Sequence, residues 1–271
     1  MDRYAVIGTP IYHSLSPRIH IMFAYQTNQV LDYVPIEIKP EDFNRRVTQL
    51  ADDGFKGLNV TVPLKTLAWE YAAHRDNHAD LAEAANVLKF SADRSHSCFN
   101  TDGIGLIRDL TVNNQLNLRK LRILILGAGG AVRGVLAPLL GYNPAKLVVA
   151  NRTVEKARAL AKKFCAHGDI SGCGFDALKN EKFDLIINGT SAGLADGLPP
   201  IPKDILEQGG YVYDMMYGQS PTAFVQWGRD HGASKSLDGL GMLVEQAAES
   251  FRIWRGMMPA TGPVIKKLRS S

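Results

Sequence analysis

The 271-residue sequence predicts an α/β fold with mostly parallel strands. Three observations carry that prediction. Apolar runs of strand length alternate with helical patterns from end to end, with no repeat or low-complexity tract between them. Pro17, Pro40 and Pro63 each stand early in a helical pattern, where a missing N–H is tolerated. A glycine-rich stretch, Gly127 to Ala131, lies between a continuous apolar run and a helix, as where a parallel strand feeds its crossover.

In chain order, residues 4–8, 33–38 and 58–60 read as strands, and helices follow Pro17, Pro40 and Pro63. A second unit starts near Leu121. Residues 121–126 form a strand, 131–140 a helix and 147–150 a β-branched strand, with further strands at 183–188 and 211–214. From Gly241 onward, Met242, Leu243, Ala247, Phe251 and Trp254 recur at helical spacing and predict an amphipathic closing helix. The short basic cluster Lys266, Lys267 and Arg269 reads as a frayed tail.

Composition narrows the class. Apolar residues make up 45% and charged residues 21%, a balance that supports a sizeable core. The net charge of +4 is spread along the chain, so no stripe for nucleic acid is expected, and an anionic small molecule fits equally well. Cys98, Cys165 and Cys173 form no CxxC pair, which predicts a reducing cytoplasm without disulfides or structural zinc. The apolar run at the N-terminus is too short for a signal peptide, and none approaches membrane-spanning length. His74 and His78 have zinc-helix spacing, but Arg75 stands where such a site needs Glu, so a solvated helical face and no metal are expected.

The chemistry-bearing segments follow. Gly127-Ala128-Gly129-Gly130-Ala131 suits a diphosphate resting on the free N–H groups of a helix start, although Val132 stands at the fingerprint's third glycine. After the next strand comes Asn151-Arg152-Thr153. No acid stands there to accept a ribose hydroxyl, and Arg152 offers a charged fork for a phosphate, so NADP(H) is expected over NAD. Ser14 and Ser16 precede Pro17 at a helix start, where Ser16 before proline reads as an N-cap or, with Ser14, as a holder of a carboxylate. Lys65 lies in the first turn of a helix, where the dipole disfavours a cation, a broken local rule of the kind found at functional sites. The Asn100-Thr101-Asp102-Gly103 turn either caps the next helix or aims a carboxylate at Lys65.

Taken together, His13-Ser14-x-Ser16-Pro17, Asn59-Val60-Thr61-x-Pro63-x-Lys65, Asn100 to Gly103, Gly127 to Ala131, Asn151 to Thr153, Asn188-Gly189-Thr190-Ser191, Tyr213-Asp214-Met215 and Asp238 to Met242 resemble the shikimate dehydrogenase family, in family order over nearly the whole chain. The resemblance implies a discontinuous substrate domain, residues 1–103 plus 240–271, a Rossmann-type NADP-binding domain, 104–239, and a cleft between them. It implies reversible NADPH-dependent reduction of 3-dehydroshikimate to shikimate in chorismate and aromatic amino acid biosynthesis, by a monomer or homodimer. Lys65 and Asp102 would be catalytic. Ser14 and Ser16 would hold the carboxylate, and Asn59, Thr61, Asn86, Asp102, Tyr217 and Gln246 would surround the ring. Gly127, Ala128, Gly129, Gly130, Ala131, Asn151, Arg152, Thr153, Val154, Glu155, Lys156, Thr190, Ser191, Met215 and Gly239 would hold the cofactor. Two departures, Ile21 after His20 and Val87 after Asn86, predict altered packing or affinity. A quinate/shikimate dehydrogenase of broader range and a non-catalytic NADPH-binding sensor are the rival readings.

Overall fold

The structure is a computed structural model that describes residues 1–190 and 197–270. The chain divides into two compact units, Met1–Gly105 with Leu243–Ser271, and Leu106–Met242.

The first unit carries β1 (Asp2–Gly8), α1 (Ser16–Gln26), β2 (Leu31–Glu37), α2 (Phe43–Asp52), β3 (Phe55–Val60), α3 (Lys65–Tyr71), β4 (His74–Arg75), α4 (Asn77–Ala82), β5 (Val87–Lys89) and β6 (Ser97–Phe99). Its sheet runs β2-β1-β3-β5-β6-β4, with β1 parallel to both neighbours and β5 antiparallel to β3 and β6. Side chains alternate across each strand. Tyr4 and Val6 of β1 join one core with α1, while Ala5 and Ile7 join another with α2 and α3. On β3, Leu58 and Val60 belong to that second core, which leaves Asn59 on the opposite face.

α5 (Asp102–Arg108) begins in the first unit. The second unit contains β7 (Arg122–Leu126), α6 (Gly130–Leu140), β8 (Lys146–Ala150), α7 (Val154–Phe164), β9 (Ile170–Cys173), β10 (Phe183–Asn188), β11 (Leu206–Asp214), α8 (Ala223–Asp230) and β12 (Lys235–Leu237). Its strands pair in parallel in the order β12-β11-β10-β7-β8-β9. This is the doubly wound order, and its direction reverses between β7 and β10, where ligands of such sheets bind beyond the strand ends.

α9 (Leu240–Arg255) is the expected closing helix, and α10 (Thr261–Arg269) follows it. Ala247 and Phe251 of α9 are fully buried with Phe23 of α1, and each phenylalanine contributes about 1.5–3 kcal/mol by burial. The frayed tail expected at Lys266, Lys267 and Arg269 is instead the basic last turn of α10, anchored by buried Val264 with Ile265 and Leu268. The apolar spacing of those three residues outweighs the basic cluster. His74 and His78 likewise share no helical face, because His74 lies in β4 and His78 in α4, separated by the cap residue Asp76. Among the described residues no group of His, Cys, Asp or Glu could hold a metal ion.

The departures from the family pattern are local. Ile21 is exposed on α1, so it alters no core. Val87 is fully buried on β5, opposite Asn59 and Phe99 in the ladders.

Candidate active site

In the first unit, strand ends and helix starts gather a polar cluster. Lys65 opens α3, and its Nζ donates to Oδ2 of Asp102 at 2.6 Å. Only 13% of the lysine side chain and 7% of the aspartate side chain are exposed. Asp102 opens α5, and its N–H is capped by Asn100 Oδ1 at 3.1 Å. The turn therefore does both things its sequence allowed: Asn100 caps the helix and Asp102 presents its carboxylate. Asn86 Nδ2 reaches the other oxygen of Asp102 at 2.9 Å, Thr101 Oγ1 at 2.9 Å and Gln246 Oε1 at 3.0 Å. Asn86 Oδ1 in turn accepts from the Thr101 N–H at 2.8 Å.

Asn59 adjoins this cluster through the Asn86 carbonyl, to which its Nδ2 donates at 3.2 Å. Ser14, Ser16 and Thr61 follow β1 and β3. Ser16 is buried in the first turn of α1, but Leu15, not Ser16, is the capping residue, and the Ser16 N–H donates to Ser14 Oγ at 3.2 Å. The capping reading of Ser16 thus fails, because its backbone already belongs to the helix. Thr61 is half-buried and has room only because residue 8 is glycine: a Cβ there would lie 2.5 Å from Thr61 Cγ2. Tyr217 belongs to the second unit, in the segment after β11.

Three participants escaped sequence reading: Tyr33, Thr101 as a hydrogen-bonding group, and Ser250. Tyr33 and Ser250 lie inside regular elements, where nothing in the sequence separates a site hydroxyl from a packed one.

In the second unit the glycine turn follows β7. Gly127 has φ +106°, and a Cβ there would meet the Gly189 carbonyl oxygen at 3.1 Å. Gly129 is the N-cap residue of α6 and supplies no side-chain cap, so the first N–H groups of the helix, beginning at Gly130 and Ala131, are left for a ligand. A Cβ at Gly129 or Gly130 would meet nothing within 4 Å. The backbone thus borders open space, which fits a diphosphate. Val132, at the missing third glycine, is buried, and a Cβ on Gly189 would lie 2.5 Å from its Cγ2. The close helix-to-strand approach is kept by placing the glycine after β10 instead of in α6. Gly189→Ala should therefore cost about 1–3 kcal/mol by overpacking. In thermal unfolding, Gly189→Ala and Val132→Ala combined should cost less than their separate losses added, and strict additivity would refute the contact.

Asn151, Arg152 and Thr153 follow β8, and Val154, Glu155 and Lys156 open α7. Asn151 Nδ2 donates to the Thr153 carbonyl at 2.9 Å, which shapes the bend, while Arg152, Glu155 and Lys156 are exposed. Thr190, after β10, is tied to Asn188 Oδ1 through its N–H at 3.1 Å and its hydroxyl at 2.8 Å. Asn188 Nδ2 donates to Asp214 at 3.1 Å, and burial pushes the Asp214 carboxyl up from its ordinary value despite donors from Thr222, Met216 and Asn188. Met215 and Gly239 meet closely, since a Cβ on Gly239 would lie 2.2 Å from the Met215 carbonyl oxygen. Ser191 lies outside the described residues.

A doubly wound sheet with an open glycine turn at its switch point, in one chain with a lysine–aspartate cluster, defines a dinucleotide-binding protein of two α/β units with a reactive site. The model of the shikimate dehydrogenase substrate binding domain matches residues 6–88, that of shikimate/quinate 5-dehydrogenase residues 110–195, and that of the shikimate 5′-dehydrogenase C-terminal domain residues 239–269. The chain belongs to the shikimate dehydrogenase family. It is 54% identical over 269 residues to the shikimate dehydrogenase (NADP(+)) of Methylococcus capsulatus, covering 99% of this chain and 96% of that one. With the corresponding protein of Alkalilimnicola ehrlichii it shares 53% identity, covering 99% and 98%. Among solved structures, an Ael1 enzyme from Pseudomonas putida superposes with TM-score 0.90 at 46% identity over 99% of this chain and 98% of that one. Shikimate 5-dehydrogenase of Thermus thermophilus, in complex with NADP(H) and shikimate, superposes with TM-score 0.88 at 29% identity over 100% and 99%.

Proposed function

We propose that this chain catalyses the reversible NADPH-dependent reduction of 3-dehydroshikimate to shikimate, an oxidoreductase reaction at a CH–OH carbon. The observation that carries the reading is the Lys65–Asp102 pair, 2.6 Å apart and backed by Asn86 and Gln246. NADPH held by Gly127 to Ala131, Asn151 to Lys156 and Thr190 supplies the hydride. Ser14 and Ser16 anchor the substrate carboxylate with hydroxyl and helix-start donors. Asn59, Thr61, Asn86, Tyr217 and Gln246 surround the ring and its hydroxyls, with Met215 and Gly239 toward the nicotinamide. Lys65 gives its proton to the carbonyl oxygen during reduction and takes it back during oxidation. Asp102 holds the ammonium in place for that transfer. Fixing the ring by several groups lowers the barrier chiefly by positioning.

The family and its three unpaired cysteines support a cytoplasmic enzyme, acting as a monomer or homodimer. Among the described residues no helix is long and apolar enough to cross a membrane.

Absorbance of NADPH tests the reading, with purified protein, shikimate and NADP⁺, and with quinate and NAD⁺ in parallel wells. Reduction of NADP⁺ by shikimate alone is expected. Equal rates with quinate or NAD⁺ would replace the reading with a broader dehydrogenase, and silence in every well would leave a cofactor-binding protein without turnover.

A further inference from the structure

Asn59 has almost nothing left to offer a ligand directly. Its Nδ2 donates to the Asn86 carbonyl at 3.2 Å and to Ser250 Oγ at 3.0 Å, which occupies both N–H groups. Its Oδ1 accepts from the Tyr33 hydroxyl at 2.7 Å. The orientation of this amide does not depend on telling nitrogen from oxygen. A backbone carbonyl only accepts, so the NH₂ must face Asn86, the oxygen must face Tyr33, and Tyr33 must donate.

Tyr33 makes that bond from a buried position, and its hydroxyl has a second side-chain partner in Ser16 at the start of α1. It is 4% exposed, and its ring stacks on His20 at 4.3 Å with an interplanar angle of 7°. Burial pushes its hydroxyl well above the ordinary tyrosine range, so it stays a donor. His20 is fully buried, and desolvation lowers its pKa to about 3, so the ring beneath Tyr33 stays neutral. Ser250, also fully buried, passes its own hydrogen to the Gln246 carbonyl at 2.9 Å and is thereby fixed as the acceptor for Asn59.

The same bonds lead to the reacting groups. Asn86, held through its carbonyl by Asn59, presents its amide to Asp102 at 2.9 Å, and Asp102 holds Lys65. We infer that Tyr33 is a positioning residue for the reaction: its hydroxyl locks the Asn59 amide, and through Asn86 sets the Asp102 carboxylate against Lys65. One consequence is that Asn59 meets the substrate ring only as an acceptor, through the remaining lone pair of its carbonyl. The inference rests on the dehydrogenase reading above.

Tyr33→Phe removes the hydroxyl and keeps the ring on His20. In the full-length protein it should lower kcat/KM for shikimate about tenfold, the scale of one lost buried hydrogen bond. The KM for NADP⁺ should stay near wild type, while the thermal midpoint should fall modestly, because Asn59 Oδ1 loses its buried donor. Because Tyr33 acts through Asn59, Tyr33→Phe in an Asn59→Ala background should cost nothing further, and Ser250→Ala should mimic Tyr33→Phe in part. Wild-type kcat/KM in Tyr33→Phe, a loss spread equally over NADP⁺, or multiplying effects of the Tyr33 and Asn59 changes would each overturn the inference while leaving the dehydrogenase reading intact. A wild-type protein inactive with shikimate and NADP⁺ would overturn both.

Discussion

Lys65→Ala is expected to turn over shikimate about 10²–10⁴-fold more slowly than wild type, the range contributed by one positioned proton donor, with NADPH affinity nearly unchanged. The lysine belongs to the first unit, whereas the glycine turn and Arg152, proposed to hold the cofactor, belong to the second. Loss of the ammonium also leaves the Asp102 carboxylate, with 7% of its side chain exposed, facing the neutral Asn86 Nδ2 donor at 2.9 Å without its cation. An uncompensated carboxylate at such a site costs about 3–5 kcal/mol of stability, which a simple activity assay would confuse with lost chemistry. Adding Asp102→Asn to Lys65→Ala separates the two. The double variant should regain most of the thermal midpoint, because no charge is left unpaired, and none of the turnover. Near-wild-type turnover in Lys65→Ala would remove the lysine from the mechanism.

How much of this was legible beforehand follows from where each residue sits. Strands β1, β7, β8 and β10 are buried on both faces and read as continuous apolar runs, which announce themselves. β9 and β12, with sequences Ile-Ser-Gly-Cys and Lys-Ser-Leu, are the two edges of the second sheet and carry no such run. Gly172 in β9 is set by tertiary contact, since a Cβ there would lie 2.3 Å from the Ala157 carbonyl oxygen of α7. β4, β5 and β6, two or three residues each, are too short for any period to show. At the site, Lys65 was visible because it breaks the dipole rule, and Gly127 because only glycine suits its backbone. Tyr33 and Ser250 break no rule, and pairing residues 191 positions apart, as Asn59 with Ser250, is information that only the fold holds. Val132 departs from the fingerprint, and Gly189, just after β10, supplies the missing space.

Arg152→Gln should change cofactor choice more than activity. Arg152 follows β8, whose end lies beside that of β7, and it precedes α7 with no acid before Glu155. It is exposed and enters no ion pair among the described residues, so its guanidinium is not held by a structural partner. A charge-assisted bond to a phosphate contributes about 1.5–3 kcal/mol, or roughly 10–150-fold in affinity. NADPH should weaken by that factor in the variant while NADH, which lacks the 2′-phosphate, stays within about twofold. Lys156, exposed in the first turn of α7, offers a second cation to the same group, so Arg152→Gln with Lys156→Gln should go further than either alone. The measurement is the ratio of kcat/KM for NADPH to that for NADH, at two ionic strengths. A phosphate contact predicts that the ratio falls in the variant and that its salt dependence shrinks, because screening then has less charge to act on. An unchanged ratio would move the 2′-phosphate away from Arg152 and return the residue to the solvated surface of a helix start.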